Sequence, residues 1–187
     1  GGKGWDEFLQ SQAEACMILQ LLSVSPNTPV KVEVQESDNQ NTRAMAFILY
    51  NYARLCVLFD SFQSKVASGD MPSLPDTSEI NFSLLSTDDE WSLIWVFVLD
   101  WPGVVETFAQ DMLSADNRLP KFSAVVRFLL SLSHCLSAYY SRYHVLPQTP
   151  QNHLLPQMYA RLYLLKIIQR LMEICFHTLG VSPPRVM

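Results

Sequence analysis

The sequence predicts an all-α helical bundle. Three observations carry that expectation. Apolar residues recur every three or four positions over long stretches, the spacing that gathers them on one face of a helix. Prolines and glycines fall mainly between those stretches, where they end helices. Strand-like alternation is confined to one short piece, "VKVEV" from Val30 to Val34, which is expected to be extended. With 187 residues and 49% hydrophobic content, the chain can bury a core without disulfide staples.

The elements follow in order. A first helix is expected over Glu7 to Leu22, with Phe8, Ala15, Ile18, Leu19 and Leu22 supplying its apolar side. "SVSPNTP" ends it, and "QESDNQN" is a polar loop. Thr42 is the expected N-cap of a second helix reaching Val66, before Ser68-Gly69. The proline-containing, acidic stretch "SGDMPSLPDTSEINFSLLSTDDE", Ser68 to Glu90, is the segment expected to vary or move. Thr87 then opens a helix as N-cap, with Glu90 at N3 completing a capping box; the acids there favour the helix dipole. Trp101-Pro102-Gly103 should interrupt it, and a short helix should follow from Val104 to Leu113. A long helix is expected from Pro120 to Leu146, its apolar face built from Phe122, Val125, Val126, Leu129, Leu132, Leu136 and Tyr140. The last helix, Gln157 to Leu179, should stop at Gly180 as its C′ residue. Residues 1–41 read as a lead-in segment and residues 42–187 as the main domain.

Composition narrows the function. The glycine-rich phosphate loops and the zinc-protease and serine-hydrolase motifs are all missing, so neither a catalytic residue nor a cofactor is expected. Cys16, Cys56, Cys135 and Cys175 are far apart in sequence and sit in apolar patterns, which points to a reducing, cytoplasmic setting. A zinc site from His134, Cys135, Cys175 and His177 would have irregular ligand spacing, and no metal is expected. The longest strongly apolar run, Leu93 to Leu99, is short of the ~20 residues that span a bilayer, so no membrane partner is expected. Charge is unevenly spread. Residues 1–117 carry five basic and seventeen acidic side chains, residues 118–187 eight basic and one acidic. Either the two parts attract each other within the fold, or one side of the surface seeks anions.

Two stripes stand out. On a helix of ~3.6 residues per turn, Arg43, Phe47, Tyr50, Asn51 and Arg54 share about 100° of arc. Such a stripe is either core aromatics edged by arginines, or a surface for a flat anionic partner, with rings stacking on bases and arginines meeting phosphate. On the long helix, Arg127, His134 and Arg142 lie within about 80° of one another. That helix ends in "AYYSRYHVL", where tyrosines again alternate with basic groups.

Three stretches together resemble the DALR anticodon-binding domain, the C-terminal helical module of arginyl-tRNA synthetases. "FILYNYARL" (Phe47 to Leu55) resembles that family's QYAxAR-type segment. "DWPGVVETFAQ" (Asp100 to Gln110) resembles its P-E-V-V-E-x-A helix junction. "AYYSRYHVLPQ", with the last helix closing on "LGVSPPRVM", resembles its F-Y-N-x-C-R-V-L segment and its L-G-I-x-x-P-x-R-M ending. The resemblance covers Thr42 to Met187. It departs at Tyr52, Ser141, His144 and Val186, and the HIGH-type and KMSKS-type signatures of a synthetase are not in this chain. The resemblance therefore implies a non-catalytic relative that binds the anticodon arm of arginine tRNAs and serves a methyltransferase making 3-methylcytidine there. It implies tRNA contacts at Phe47, Tyr50, Arg54, Tyr140 and Met187. The stripes add Arg43, Asn51, Arg127 and Arg142 as phosphate or base contacts. The alternative is a protein–protein adaptor that kept the fold and lost the RNA site, with "EWSLIWVFVLDW" or the proline loop as its contact surface; a synthetase fragment ranks below both.

Overall fold

The structure, a computed structural model, describes residues 3–25, 27–29, 40–113, 121–147 and 152–185. The expected extended piece at Val30 to Val34, Pro120 and Met187 lie outside the described residues. Among the described residues there are six α-helices: α1 (Lys3–Leu22), α2 (Gln40–Ala67), α3 (Asp88–Leu93), α4 (Trp101–Leu113), α5 (Phe122–Arg142) and α6 (Leu155–Leu179). A π-helical turn, Ile94–Leu99, joins α3 to α4, and two 3-10 turns, Thr77–Glu79 and Phe82–Leu84, lie between α2 and α3. Among the described residues there is no strand, and the fold is all-α.

The core forms where α2, α5 and α6 meet, with α1 laid against all three. Ile48, Leu49 and Leu55 enter it from α2, Leu129, Leu132 and Leu136 from α5, and Leu162, Leu165 and Phe176 from α6. Each such leucine is worth about 1.5–3 kcal/mol relative to exposure. The α5 face departs from expectation at one end: Tyr139 is fully buried and Tyr140 only partly. Tyr139 continues the three-to-four rhythm from Leu132 and Leu136, which leaves Tyr140 on the flank.

Several boundaries also move. Helix α2 starts at Gln40, so Thr42 lies in its first turn and is not its cap. Helix α5 runs from Phe122 to Arg142. The break near Trp101-Pro102-Gly103 falls at Asp100, because Trp101 and Pro102 open α4, where a proline's missing N–H costs nothing. Helix α6 begins at Leu155 with Pro156 in its first turn. The loop expected to move is tied to α6: the Tyr163 hydroxyl donates to the Pro75 carbonyl at 2.6 Å, and Gln157 Nε2 donates to the Leu84 carbonyl at 3.4 Å.

The caps expected at Thr87 and Gly180 do form. Thr87 Oγ1 accepts from the Glu90 N–H at 3.3 Å while Glu90 Oε2 accepts from the Thr87 N–H at 3.0 Å. Thr87→Ala should cost about 1 kcal/mol in chemical denaturation. At the far end of α6, Gly180 adopts φ +66° and donates to the His177 carbonyl. Val181, buried, donates to the Phe176 carbonyl at 2.9 Å, so the helix closes in a Schellman turn. No atom stands within 4 Å of a Cβ added at Gly180, so crowding plays no part in its choice. Gly180→Ala should therefore cost about 1 kcal/mol through backbone strain alone, read as a shifted urea midpoint with unchanged slope.

By length and mean hydropathy (1.2, 1.3 and 1.3), Asn41–Ala67, Asp88–Leu113 and Phe122–Arg142 are long and apolar enough to cross a membrane. The seven-residue run underestimates them because small and polar neighbours hardly lower the average over a long helix. The first and third of these stretches turn much of their apolar side into the bundle. In the second, only 11% of the window is buried.

Candidate nucleic-acid interface

Helices α2 and α5 bring the two stripes together. Phe47 packs against His134 with ring centres 4.8 Å apart. Two turns further on, the Arg54 guanidinium lies 4.3 Å from the centre of the Tyr140 ring and 5.3 Å from that of Tyr50. The arginine is thus held between an aromatic of its own helix and one from α5. This suits a planar, weakly hydrated cation, and lysine could not reproduce it. Burial pushes the Tyr140 phenol up to about 12, with the Arg54 charge partly opposing the rise, so it stays a neutral donor at any working pH.

Tyr50, Arg54 and Tyr140 wall an open groove of about 400 Å³ whose lining also includes Val57, Leu58, Ser61 and Leu146. Tyr50 is 46% exposed at its rim. Lys65 Nζ donates to the Pro147 carbonyl at 2.8 Å and pins the segment after α5 to the end of α2. Arg185 approaches Asp60 at 4.0 Å, which brings the end of the described chain beside the same helix. The sequence stripes did not pair Arg54 with Tyr140, nor add Val57, Ser61 and Leu146 to the site. Those links depend on how two helices cross, and no single-helix pattern encodes that.

The remaining predicted residues divide. Arg43 is exposed at the start of α2. Arg127 is exposed on α5, seven residues before His134, and its Nε donates to the Ser123 carbonyl at 3.3 Å. Asn51 does not reach the surface. It is 1% exposed and its Nδ2 donates to the Phe47 carbonyl at 2.8 Å, because the inner edge of the stripe turns into the α2–α5 contact. Arg142 leaves the groove as well. Its Nη1 lies 2.7 Å from both oxygens of Asp89, on the flank of α5 facing α3, and this partner raises its already high pKa. Tyr52 is a core residue, edge-on to Phe176 and donating to Glu173 Oε1 at 3.4 Å. Ser141 and His144 are exposed. Among the described residues, no three histidine, cysteine or acidic side chains gather to hold a metal, and the four cysteines are unpaired thiols.

The chain is thus an all-α helical domain with an aromatic–arginine groove where α2 meets α5. The chain belongs to the DALR anticodon-binding domain family, whose pattern matches residues 48–187. It is similar to DALR anticodon-binding domain-containing protein 3 of Danio rerio, 32% identical over 97% of this chain and 34% of the relative. It is also similar to the proteins of that name from Rattus norvegicus and Mus musculus, each 29% identical over 96% of this chain and 33% of the relative. The chain spans about one third of the length of the curated relatives it matches. Its fold is shared by arginyl-tRNA synthetase from Plasmodium falciparum, at a TM-score of 0.68 and 18% identity, over 97% of this chain and 28% of that one.

Proposed function

We propose that this domain binds the anticodon arm of a tRNA, an arginine tRNA in particular, without performing chemistry, and acts in the cytoplasm beside a tRNA 3-methylcytidine methyltransferase. The observation that carries the reading is the Tyr50–Arg54–Tyr140 stack at the open groove. Unpaired bases of a loop have flat faces that stack on exposed rings, and the backbone that bears them supplies phosphate for a guanidinium. The fold shared with an arginyl-tRNA synthetase and the family's anticodon-binding description support tRNA over other RNA. Phe47 with His134, Arg43 and Arg127 extend the same flank and would follow the backbone away from the loop.

The test is a variant carrying Phe47→Ala, Tyr50→Ala and Arg54→Ala together. The helical circular-dichroism signal should be kept, since none of the three is fully buried, while tRNA affinity should fall at least tenfold. Unchanged affinity in the folded variant contradicts the assignment.

A further inference from the structure

The face turned outward by residues 88–113 leaves a run of large apolar side chains exposed. Trp91 and Trp95 stack with ring centres 6.0 Å apart, and both are exposed, Trp95 at 61%. Val96 and Leu99, both more than half exposed, continue the patch toward α4. Part of it lies on the π-helical turn Ile94–Leu99, a rare backbone form kept mostly where function requires it. Soluble surfaces seldom leave clustered tryptophans in water, and a contiguous patch of this kind marks a binding surface.

Charge says what kind of partner fits. Residues 66–117 hold ten acidic side chains and no lysine, arginine or histidine. Asp88, Asp100 and Glu106 are exposed around the apolar patch. The face lies on the opposite flank of α5 from the groove. Phe128 meets Phe97 and Trp101 and Arg142 meets Asp89 on one flank, whereas His134 and Tyr140 meet Phe47 and Arg54 on the other. From these observations we infer that the 88–113 face docks a protein segment that presents apolar side chains flanked by lysine or arginine, such as a basic amphipathic helix. A nucleic acid is repelled by the acids, and so is an anionic membrane, which basic residues would be needed to hold. Self-pairing about a two-fold axis would bring two acid-rimmed patches together, and the nearby Lys121 is already paired with Asp111 at 3.7 Å. The inference does not depend on the RNA reading, and both surfaces can be occupied at once.

The probe is a synthetic amphipathic peptide of leucine and lysine, with its leucine–glutamate counterpart as control, titrated into the chain by calorimetry. The lysine peptide should bind saturably at one per chain, and the glutamate peptide should not. Trp95→Ser should weaken binding at least tenfold. Leu99→Ser, also at an exposed position, should weaken it if Trp95→Ser disturbs folding. Asp100→Asn with Glu106→Gln should weaken it several-fold, most at low salt, and Arg54→Ala should leave it unchanged. The inference is overturned if both peptides bind alike, or if neither Trp95→Ser nor Leu99→Ser has an effect. It is overturned too if anionic vesicles take the site in preference to the peptide, or if the chain is a dimer that Trp95→Ser disperses.

Discussion

Replacing Glu90 with alanine should destabilise the protein by about 3–5 kcal/mol, the largest single-residue effect we expect outside the apolar core. Glu90 is 0% exposed, yet it is charged and fully engaged. Its Oε2 accepts from the backbone N–H groups of Ser86 at 2.9 Å and Thr87 at 3.0 Å, and its Oε1 accepts from Arg161 Nε at 2.7 Å. Tyr139 O–H reaches Oε1 at 3.5 Å, and the Arg161 guanidinium lies 5.1 Å from the Tyr143 ring centre. One carboxylate thus ties the start of α3 to α5 and α6. Its removal leaves a mostly buried guanidinium and two backbone donors without acceptors, the costly half of breaking a buried pair. Removing both charges, as in Glu90→Leu with Arg161→Met, should cost less than the sum of the single changes. Equilibrium denaturation of the four proteins measures this directly.

The same pair sets an acid limit. Burial alone would raise the Glu90 carboxyl, but the Thr87 N–H and the Arg161 guanidinium outweigh it and hold the group below its ordinary value. A carboxylate depressed in the folded state contributes stability that is present in full above the unfolded value of about 4.3. That contribution is lost as pH falls through the depressed folded value. Stability should therefore decline below about pH 4.3, and Glu90→Gln should flatten that acid limb. An acid limb of unchanged slope in the variant would mean that other carboxylates govern it.

The second large effect concerns RNA. Arg54→Ala should weaken tRNA binding roughly 10- to 100-fold, the range of one lost stacked or charge-assisted contact. It should also flatten the salt dependence by about one released counterion. Arg54→Lys should restore most of the salt slope and only part of the affinity, because an ammonium keeps the charge but not the plane. Tyr140→Ala should lower affinity without changing the slope. The fold should lose only about 1 kcal/mol with Arg54→Ala, since a half-exposed cation–π contact is worth little more, and more with Tyr140→Ala, whose partly buried ring packs against the core. Parallel loss of affinity and helicity would instead make the stack structural.

Much of this was legible in the sequence. The helices follow from apolar spacing, and the Thr87–Glu90 box and Gly180 stop from local chemistry that needs no tertiary context. Phe47, Tyr50 and Arg54 were read together because three residues on one helix obey one rotation. What escaped depends on contacts between helices. Asn51 sits on the same arc as Phe47, but the α2–α5 crossing covers it. Arg142 and Arg127 look alike on a wheel, and only the position of Asp89 separates them. Glu90 reads as an ordinary cap, and its link to Arg161 spans 71 residues of chain.

The most direct test of the central claim is a filter-binding titration of this chain against arginine and non-arginine tRNA transcripts at two salt concentrations. The account predicts binding that favours the arginine tRNAs and weakens steeply as salt rises. Absence of binding, or equal binding to every transcript at both salt concentrations, would contradict it.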